Sequence, residues 1–181
     1  MMPRFIVRVF LLLSLAVGAA PAIAQGTPAP QNPSPAPGPY AIPIGPAIGI
    51  DAAKKAAASA SAEARKNKWF MAIAVVDPAG TLVYFEKADN TQNGSANVAI
   101  GKARSAALYK RPTKAFQDAL EKGGVNLRVL SLEGAVPVEG GVPLLVDGKL
   151  IGALGVSGDL SEHDGQCATA GAAALAASAS R

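Results

Sequence analysis

The sequence is poor in cysteine, histidine and aromatic residues. Its 181 residues include one cysteine, Cys167, and one histidine, His163, and only 5% are aromatic. One cysteine excludes an internal disulfide, so we expect Cys167 to be a buried small apolar side chain, with an intermolecular bridge as the alternative. One histidine cannot build a zinc site alone. Alanine and glycine stand in place of aromatic residues, which predicts close packing between small-residue faces.

The chain also lacks the short motifs of several enzyme classes. The run Gly155-Val156-Ser157-Gly158 is not a nucleophile elbow, because its second glycine comes one place early. No loop ends in Gly-Lys-Ser or Gly-Lys-Thr to cradle a phosphate, and no CxxC pair is present. A Ser-His-Asp triad would need the single histidine, which stands between two acidic residues at a predicted helix start. These absences favour a binding protein, with an enzyme as the alternative.

The charge balance is only mildly basic. Lysine and arginine number 17 and the acidic residues 13, which gives a formal net charge of +4. Arg4 and Arg8 lie in a segment that we expect to be removed on export, so the remaining chain carries two positive charges fewer. So small an excess indicates no nucleic-acid partner and no attraction to a membrane surface.

Residues 1–24 are typical of a secretory signal peptide. Two arginines precede the apolar run Val9–Ala20, and Ala22-Ile23-Ala24 fits the small-x-small cleavage pattern. We therefore expect cleavage before Gln25 and a periplasmic or extracellular protein. The alternative is an uncleaved anchor, but the run is short for a membrane span of about 20 residues. No later run is long and apolar enough to cross a membrane, so we expect no stable insertion after cleavage.

Residues 25–46 form a proline-rich linker, and residues 47–181 form the folded domain. Proline fixes φ and removes a donor, so the linker is expected to be a semi-extended tether. In the domain, helical spacing and cap residues predict four helices, begun by Asp51, Ser95, Thr113 and Ser161: Ala52–Lys66, Ala96–Tyr109, Lys114–Lys122, and Glu162 to about Ala177. Branched apolar runs predict strands at Met71–Val76, Thr81–Lys87, Ala135–Val138, Val142–Val146 and Lys149–Val156. The segment Leu127–Leu132 is either a short strand or irregular.

Two hairpins are indicated by their turns. Asp77-Pro78-Ala79-Gly80 is typical of a type I turn with a left-handed glycine, and Asp147-Gly148 predicts a type I′ turn. Pairing outward from the second turn sets Val146 against Lys149, Leu144 against Ile151, and Val142 against Ala153, with Ile151 and Ala153 on one face. Hairpins with helices between and around them predict an α+β domain with an antiparallel sheet.

The second hairpin carries a resemblance to the GlcG/HbpS-type haem-binding family. The similar stretch is GGVPLLVDGKLIGALGVSG, followed by a Ser-Glu-x-Asp helix start and an alanine-rich helix. The resemblance covers about Ile50–Ala177. It implies a five-stranded antiparallel sheet flanked by helices, profilin-like in outline, and assembly into dimers or larger homo-oligomers. It also implies haem as the cofactor.

His163 is the first candidate iron ligand, because imidazole is a common axial ligand of haem. Its acidic neighbours favour the imidazolium, which must lose its proton before it binds a metal. The alternative is a histidine at a helix start that binds nothing. Cys167 lies one turn further on, and Tyr84, Tyr109 and Met71 are other residues able to ligate iron, although each of these is more typical of packing.

A second set of candidate ligand-binding residues comes from the resemblance. Lys110-Arg111-Pro112-Thr113 is similar to the family's Gly-Arg-Pro-Thr, with lysine in place of glycine at a turn where lysine resists positive φ. Arg111 would pair either with a haem propionate or with an acidic residue of this chain. Thr113 would be a helix cap or a ligand-binding hydroxyl. Tyr109 and the paired glycines Gly140 and Gly141, which open the hairpin, complete this set.

Three functions are therefore in competition. The first is an exported haem-binding protein for haem storage, sensing or protection. The second is a binding module for a small carboxylate metabolite, since relatives belong to glycolate and diol metabolism. The third is a small enzyme of unassigned chemistry on the same scaffold.

The signal peptide generates the first testable prediction. We expect the exported protein to begin at Gln25, because the small-residue site follows the apolar run directly. Intact-mass spectrometry of protein recovered outside the cytoplasm measures this. Exported protein that retains Met1 would contradict cleavage.

Overall fold

The computed structural model describes residue 38 and residues 40–179, with side chains up to residue 176. The predicted signal peptide and most of the predicted linker lie outside the described residues. The helices are α1 (Ile50–Lys66), α2 (Ser95–Tyr109), α3 (Lys114–Glu121) and α4 (Ser161–Ala179), with a 3₁₀ helix at Gly124–Ser131. The strands are β1 (Ala72–Val76), β2 (Leu82–Lys87), β3 (Gly141–Val146) and β4 (Lys149–Ser157). None of the described helices combines the length and apolar character that a membrane span requires.

The four strands form one antiparallel sheet in the order β2-β1-β4-β3. The α+β class is confirmed, but the prediction of five strands is wrong, and the profilin-like outline is not confirmed. The predicted strand Ala135–Val138 is irregular, because the Val136 N–H donates to the Ser105 hydroxyl of α2 at 3.1 Å instead of to a neighbouring strand. Leu127–Leu132 falls largely within the 3₁₀ helix.

Helices cover both faces of the sheet. On one face, α1 and α4 pack together over Ile73, Val75 and Leu154. On the other face, α2 packs against a sheet surface made of alanine and glycine. A Cβ built at Gly155 would overlap the Ala99 carbonyl oxygen of α2, so the helix backbone lies directly on the strand. This confirms the predicted close packing of small residues.

The second hairpin has the predicted turn but a different register. Asp147 and Gly148 have φ values of 49° and 71°, as a type I′ turn requires. Val146 pairs with Lys149, but a bulge then sets Leu144 against Gly152 and Val142 against Leu154. The predicted pairs of Leu144 with Ile151 and of Val142 with Ala153 are therefore wrong.

The bulge also moves one side chain to the other face. Ile151 packs with the core under α1, and its carbonyl accepts from the Ile48 N–H at 2.8 Å, whereas Ala153 packs against α2. The prediction that Ile151 and Ala153 share a face is wrong for this reason. An extra residue in one strand inverts the alternation of side chains beyond it.

Three predicted helix caps have other roles. The cap position of α1 is Gly49, and Asp51 lies in the first turn. Ser95 is the first residue of α2 and is buried. Thr113 does occupy the cap position of α3, but its hydroxyl makes no cap hydrogen bond, because it accepts instead from the Gly141 N–H at 2.9 Å.

Part of the predicted linker lies against the domain. Ile44 forms a single parallel bridge with Leu150 at the start of β4. The Leu150 N–H donates to the Pro43 carbonyl, and the Gly45 N–H donates to the Leu150 carbonyl, both at 2.8 Å. This segment therefore borders β4 beyond the point where β1 ends.

The open type I′ turn generates a stability prediction. Nothing lies within 4 Å of a Cβ built at Gly148, so a substitution there acts through the backbone alone. We expect Gly148→Val to lower the free energy of unfolding by about 1–3 kcal/mol, because a β-branched residue resists positive φ. Gly148→Asn is the matched control, with an expected loss below about 1 kcal/mol. Urea unfolding measures both, and equal losses would rule out a backbone cause.

Candidate functional site

Thr113 and Gly141 are joined by two reciprocal hydrogen bonds. The Thr113 N–H donates to the Gly141 carbonyl at 2.9 Å, and the Gly141 N–H donates to Oγ1 of Thr113 at 2.9 Å. The threonine side chain is fully buried. These bonds hold the loop before α3 against the start of β3. One of them uses the Thr113 hydroxyl, which the sequence indicated as a candidate ligand-binding group.

Gly140 lies at the meeting point of β4, α2 and α4. Its φ is 124°, and a Cβ there would lie 2.6 Å from the Val156 carbonyl oxygen, 2.7 Å from Cβ of Asp164 and 2.9 Å from Nζ of Lys102. The Gly140 carbonyl in turn accepts from the Val156 N–H at 2.9 Å. The glycine is therefore required both by its conformation and by close approach.

A buried ion pair lies beside this glycine. Nζ of Lys102 is 2.6 Å from Oδ2 of Asp164, and the two side chains are 1% and 3% exposed. The ammonium also donates to the Val156 carbonyl at 3.2 Å, and Oδ1 of Asp164 accepts from the Asp159 N–H at 3.4 Å. Burial raises the pKa of the Asp164 carboxyl, and this effect prevails over the opposing hydrogen bond and charge of Lys102.

Sequence reasoning missed this pair. In the sequence, Lys102 lies within the predicted helix Ala96–Tyr109 and Asp164 lies three residues after Ser161, and neither position by itself indicates the other. A lysine within an otherwise apolar helix stripe is the signal that was available, because a buried charge requires a partner.

A small groove opens beside the paired glycines. Its volume is about 220 Å³, and its lining includes Gly140, Gly141, Pro112, Lys114 and Glu139. Nζ of Lys114 is 2.8 Å from Oδ1 of Asp118 and 3.7 Å from Oε2 of Glu139, and the lysine side chain is half exposed. The hydrogen bond to Asp118 raises the pKa of Lys114, so the groove has a cation at its edge.

Arg111 lies between aromatic rings and not beside a carboxylate. Its guanidinium carbon is 3.8 Å from the centre of the Tyr40 ring and 5.2 Å from that of Phe116, and its Nε–H donates to the Tyr109 carbonyl at 3.1 Å. Among the described residues it has no ion pair, so the alternative of an internal acidic partner finds no support there. Lys110 before it adopts the left-handed conformation with φ of 52° and ψ of 39°.

Tyr109 contributes mainly to packing. Its hydroxyl donates to the Glu133 carbonyl at 2.6 Å, and its ring contacts Phe116 edge to face with centroids 5.3 Å apart. Tyr109, Arg111 and Phe116 therefore form one cluster at the end of α2.

His163 lies in the first turn of α4 and stacks on Trp69. The ring centroids are 3.9 Å apart and the planes differ by 11°. Nδ1 is buried without a hydrogen-bond partner and lies 3.6 Å from Oδ1 of Asp159, while 31% of the side chain is exposed. The exposed part of the imidazole therefore lies away from Nδ1.

The predicted site residues fall into three places. Thr113, Gly140 and Gly141 meet at the start of β3, Tyr109 and Arg111 meet at the end of α2, and His163 lies at the start of α4. No hydrogen bond, ion pair or ring contact among the described residues joins His163 to the other five. The described part of the chain also has no group of three histidine, cysteine or acidic residues able to hold a metal ion.

The remaining residues considered as iron ligands are engaged or buried. Cys167 is fully buried, which confirms the predicted small apolar role, and burial raises the pKa of its thiol to about 12. Met71 is buried in the core. The Tyr84 hydroxyl donates to Oε2 of Glu86 at 2.9 Å.

The buried ion pair generates a pH-dependent prediction. Lys102→Met leaves the Asp164 carboxyl buried without its cation, which should lower the free energy of unfolding by about 3–5 kcal/mol at neutral pH. Without the ammonium, the pKa of Asp164 rises further above the unfolded value of about 3.9. The folded state then keeps a proton that the unfolded state releases, so the loss grows as the pH rises from about 4 to 7.

Urea unfolding across this range measures the effect. Lys54→Met, at an exposed position of α1, is the matched control and should lose little at any pH. A loss for Lys102→Met that does not change with pH would show that the carboxyl does not titrate in the folded state.

Several known proteins are similar to this chain. The chain is 40% identical to the protein GlcG of Escherichia coli strain K12 over 95 residues, which are 52% of this chain and 69% of GlcG. It resembles a solved PduOC:heme complex with a TM-score of 0.65 and 27% identity, covering 71% of this chain and 95% of that one. It resembles a double mutant of Streptomyces reticuli HbpS with a TM-score of 0.66 and 28% identity, covering 80% and 97% of the two chains. The family described as haem degrading protein HbpS-like matches residues 48–173, and the chain belongs to this GlcG/HbpS-type family.

Proposed function

We propose that this protein is an exported haem-binding protein that acts in haem storage, sensing or protection. Membership of the HbpS-like family supports haem as the ligand, as does the similarity to a PduOC:heme complex. The signal-like N-terminus supports export. The observation that carries the proposal is the environment of His163, the only histidine of the chain.

The two nitrogens of His163 have different surroundings. Nδ1 faces the Asp159 carboxylate at 3.6 Å, and the flat stack on Trp69 fixes the plane of the ring. A histidine that ligates a metal commonly directs its other ring N–H to a carboxylate, which sets the tautomer and raises the basicity of the ligating nitrogen. The Asp159 carboxylate lies beyond hydrogen-bond distance of Nδ1, so in this proposal the bond between them would form when Nε2 coordinates iron.

The other candidate ligands are less suited to iron. The Thr113 hydroxyl is fully buried and accepts from the Gly141 N–H, and the Tyr109 hydroxyl donates to the Glu133 carbonyl. Arg111 is the candidate partner of a propionate, because its terminal nitrogens have no acidic partner among the described residues. When bound, haem would supply an iron centre that His163 would ligate.

Self-association is part of the proposal. The 3₁₀ helix Gly124–Ser131 exposes several large aliphatic side chains, among them Val125 at 73% and Leu130 at 68%. Clustered exposed apolar side chains are typical of protein–protein contact surfaces. A homo-oligomer would cover them.

A second candidate function is binding of a small carboxylate. The groove at Gly140 and Gly141, of about 220 Å³, is too small for a porphyrin but suits a small acid, and Lys114 lies at its edge. His163 is not among the residues that line this groove. Thermal-shift screening with small carboxylates distinguishes it from the haem function.

Hemin titration tests the principal function. We expect a saturable Soret change with micromolar or tighter affinity, about −8 kcal/mol. His163→Ala should shift the Soret maximum and weaken binding, and acidification should weaken binding to the unchanged protein because protonated imidazole cannot coordinate. Asp159→Asn should weaken binding by about 10- to 100-fold while keeping the Soret position.

Asp89→Asn, an exposed carboxylate in the loop after β2, is the matched control and should change nothing. A His163→Ala spectrum identical to that of the unchanged protein would show that another residue coordinates the iron, and Tyr109 and Thr113 would be tested next. An absence of any saturable spectral change in the unchanged protein would overturn the haem function.

A further inference from the structure

The segment that precedes the domain reaches the cluster around Arg111. The ring centre of Tyr40 lies 3.8 Å from the guanidinium carbon of Arg111, and Arg111 is half-buried. Phe116 of α3 approaches the same guanidinium at 5.2 Å. Residues from two distant parts of the chain therefore enclose one cation.

Several hydrogen bonds hold this segment in position. Nζ of Lys110 donates to the Ile42 carbonyl at 3.0 Å. The Leu150 N–H donates to the Pro43 carbonyl, and the Gly45 N–H donates to the Leu150 carbonyl, both at 2.8 Å. The placement of Tyr40 is therefore determined by the domain and not by the tether alone.

Lys110 has an unusual conformation at this junction. It ends α2 in the left-handed region, with φ of 52°, which lysine rarely adopts. In that conformation its ammonium reaches the Ile42 carbonyl. The next residue is Arg111. The turn at Lys110 therefore places the Arg111 guanidinium against Tyr40, and the Lys110 ammonium holds the segment Tyr40–Gly45 beside it.

This arrangement leaves part of the guanidinium available. Nε donates to the Tyr109 carbonyl, whereas neither Nη atom of Arg111 donates to a described residue. A guanidinium held against an aromatic ring keeps its edge free for a bidentate bond to a carboxylate. The ring also stabilises the cation, so the charge need not be neutralised by an acidic residue.

We infer that Tyr40 is a positioning residue of a carboxylate-binding site centred on Arg111, and that the segment Tyr40–Gly45 forms part of that site. The ligand group is a carboxylate, either a propionate of haem or a free small acid. In its haem form the inference rests on the proposed function. Tyr40 orients Arg111, and Arg111 contacts the ligand.

Hemin and hemin dimethyl ester separate the carboxylate contribution from the rest of haem binding. We expect the exported protein to bind hemin about tenfold more tightly than the ester, because only hemin offers carboxylates to Arg111. Arg111→Ala should remove this preference, and Tyr40→Ala should reduce it by about fivefold. Tyr40→Phe keeps the ring and should retain the preference. The Soret position should stay unchanged in all three variants, because none removes the iron ligand.

A second measurement follows the contact without any ligand. The NMR signal of the Arg111 Nε–H should be shifted upfield by the ring of Tyr40. The shift should disappear in Tyr40→Ala and Lys110→Gly and persist in Tyr40→Phe. A signal that does not respond to Tyr40→Ala would overturn the contact and with it the inference.

The outcomes separate the inference from the haem function. If hemin binds and Tyr40→Ala leaves the hemin-to-ester ratio unchanged, the positioning role is wrong although the haem function stands. If neither porphyrin binds, the haem function fails, and sodium propionate becomes the probe. Propionate binding that Tyr40→Ala weakens would then support the site with a free acid as ligand, and no propionate binding would overturn it.

Discussion

The ion pair between Lys102 and Asp164 is the interaction on which the architecture most depends. It joins α2 to α4, and its ammonium also donates to the Val156 carbonyl near the end of β4. Two charges that are 1% and 3% exposed tolerate burial only when each satisfies the other and the remaining bonding capacity is used. The pair therefore favours one arrangement of α2 and α4, because a shift of either helix would leave a buried charge without its partner.

Small residues make this arrangement possible. Lys102 reaches Asp164 because α2 lies directly on the sheet. The helix can approach the sheet so closely because the backbone of Ala99 contacts the backbone of Gly155. Gly140 must lack a side chain for the same reason, since a Cβ there would meet the ion pair. The scarcity of aromatic residues is thus a requirement of the close approach, and larger side chains would open a gap across which the lysine could not bond.

The ion pair is also linked to the residues that we propose to bind haem. Asp164 accepts from the Asp159 N–H, and the Asp159 side chain faces Nδ1 of His163. Gly140 also lies beside the pair, and the next residue, Gly141, is hydrogen-bonded to Thr113 at the start of α3. Arg111 lies two residues before that threonine. The ion pair is therefore linked through short stretches of chain both to the iron-ligand candidate and to the carboxylate-binding candidate.

The sequence by itself determined several local features of the chain. The Asp147-Gly148 turn, the spans of the four helices and the burial of Cys167 follow from turn chemistry, periodicity and residue size. Tertiary contacts decided the rest. The Lys102–Asp164 pair joins residues 62 positions apart, and the Gly141–Thr113 bond joins residues 28 apart. The bulge at Ile151, the missing fifth strand and the contact of Tyr40 with Arg111 likewise depend on distant partners. Such contacts leave no periodic trace in sequence, because each arises only when packing brings separate elements together.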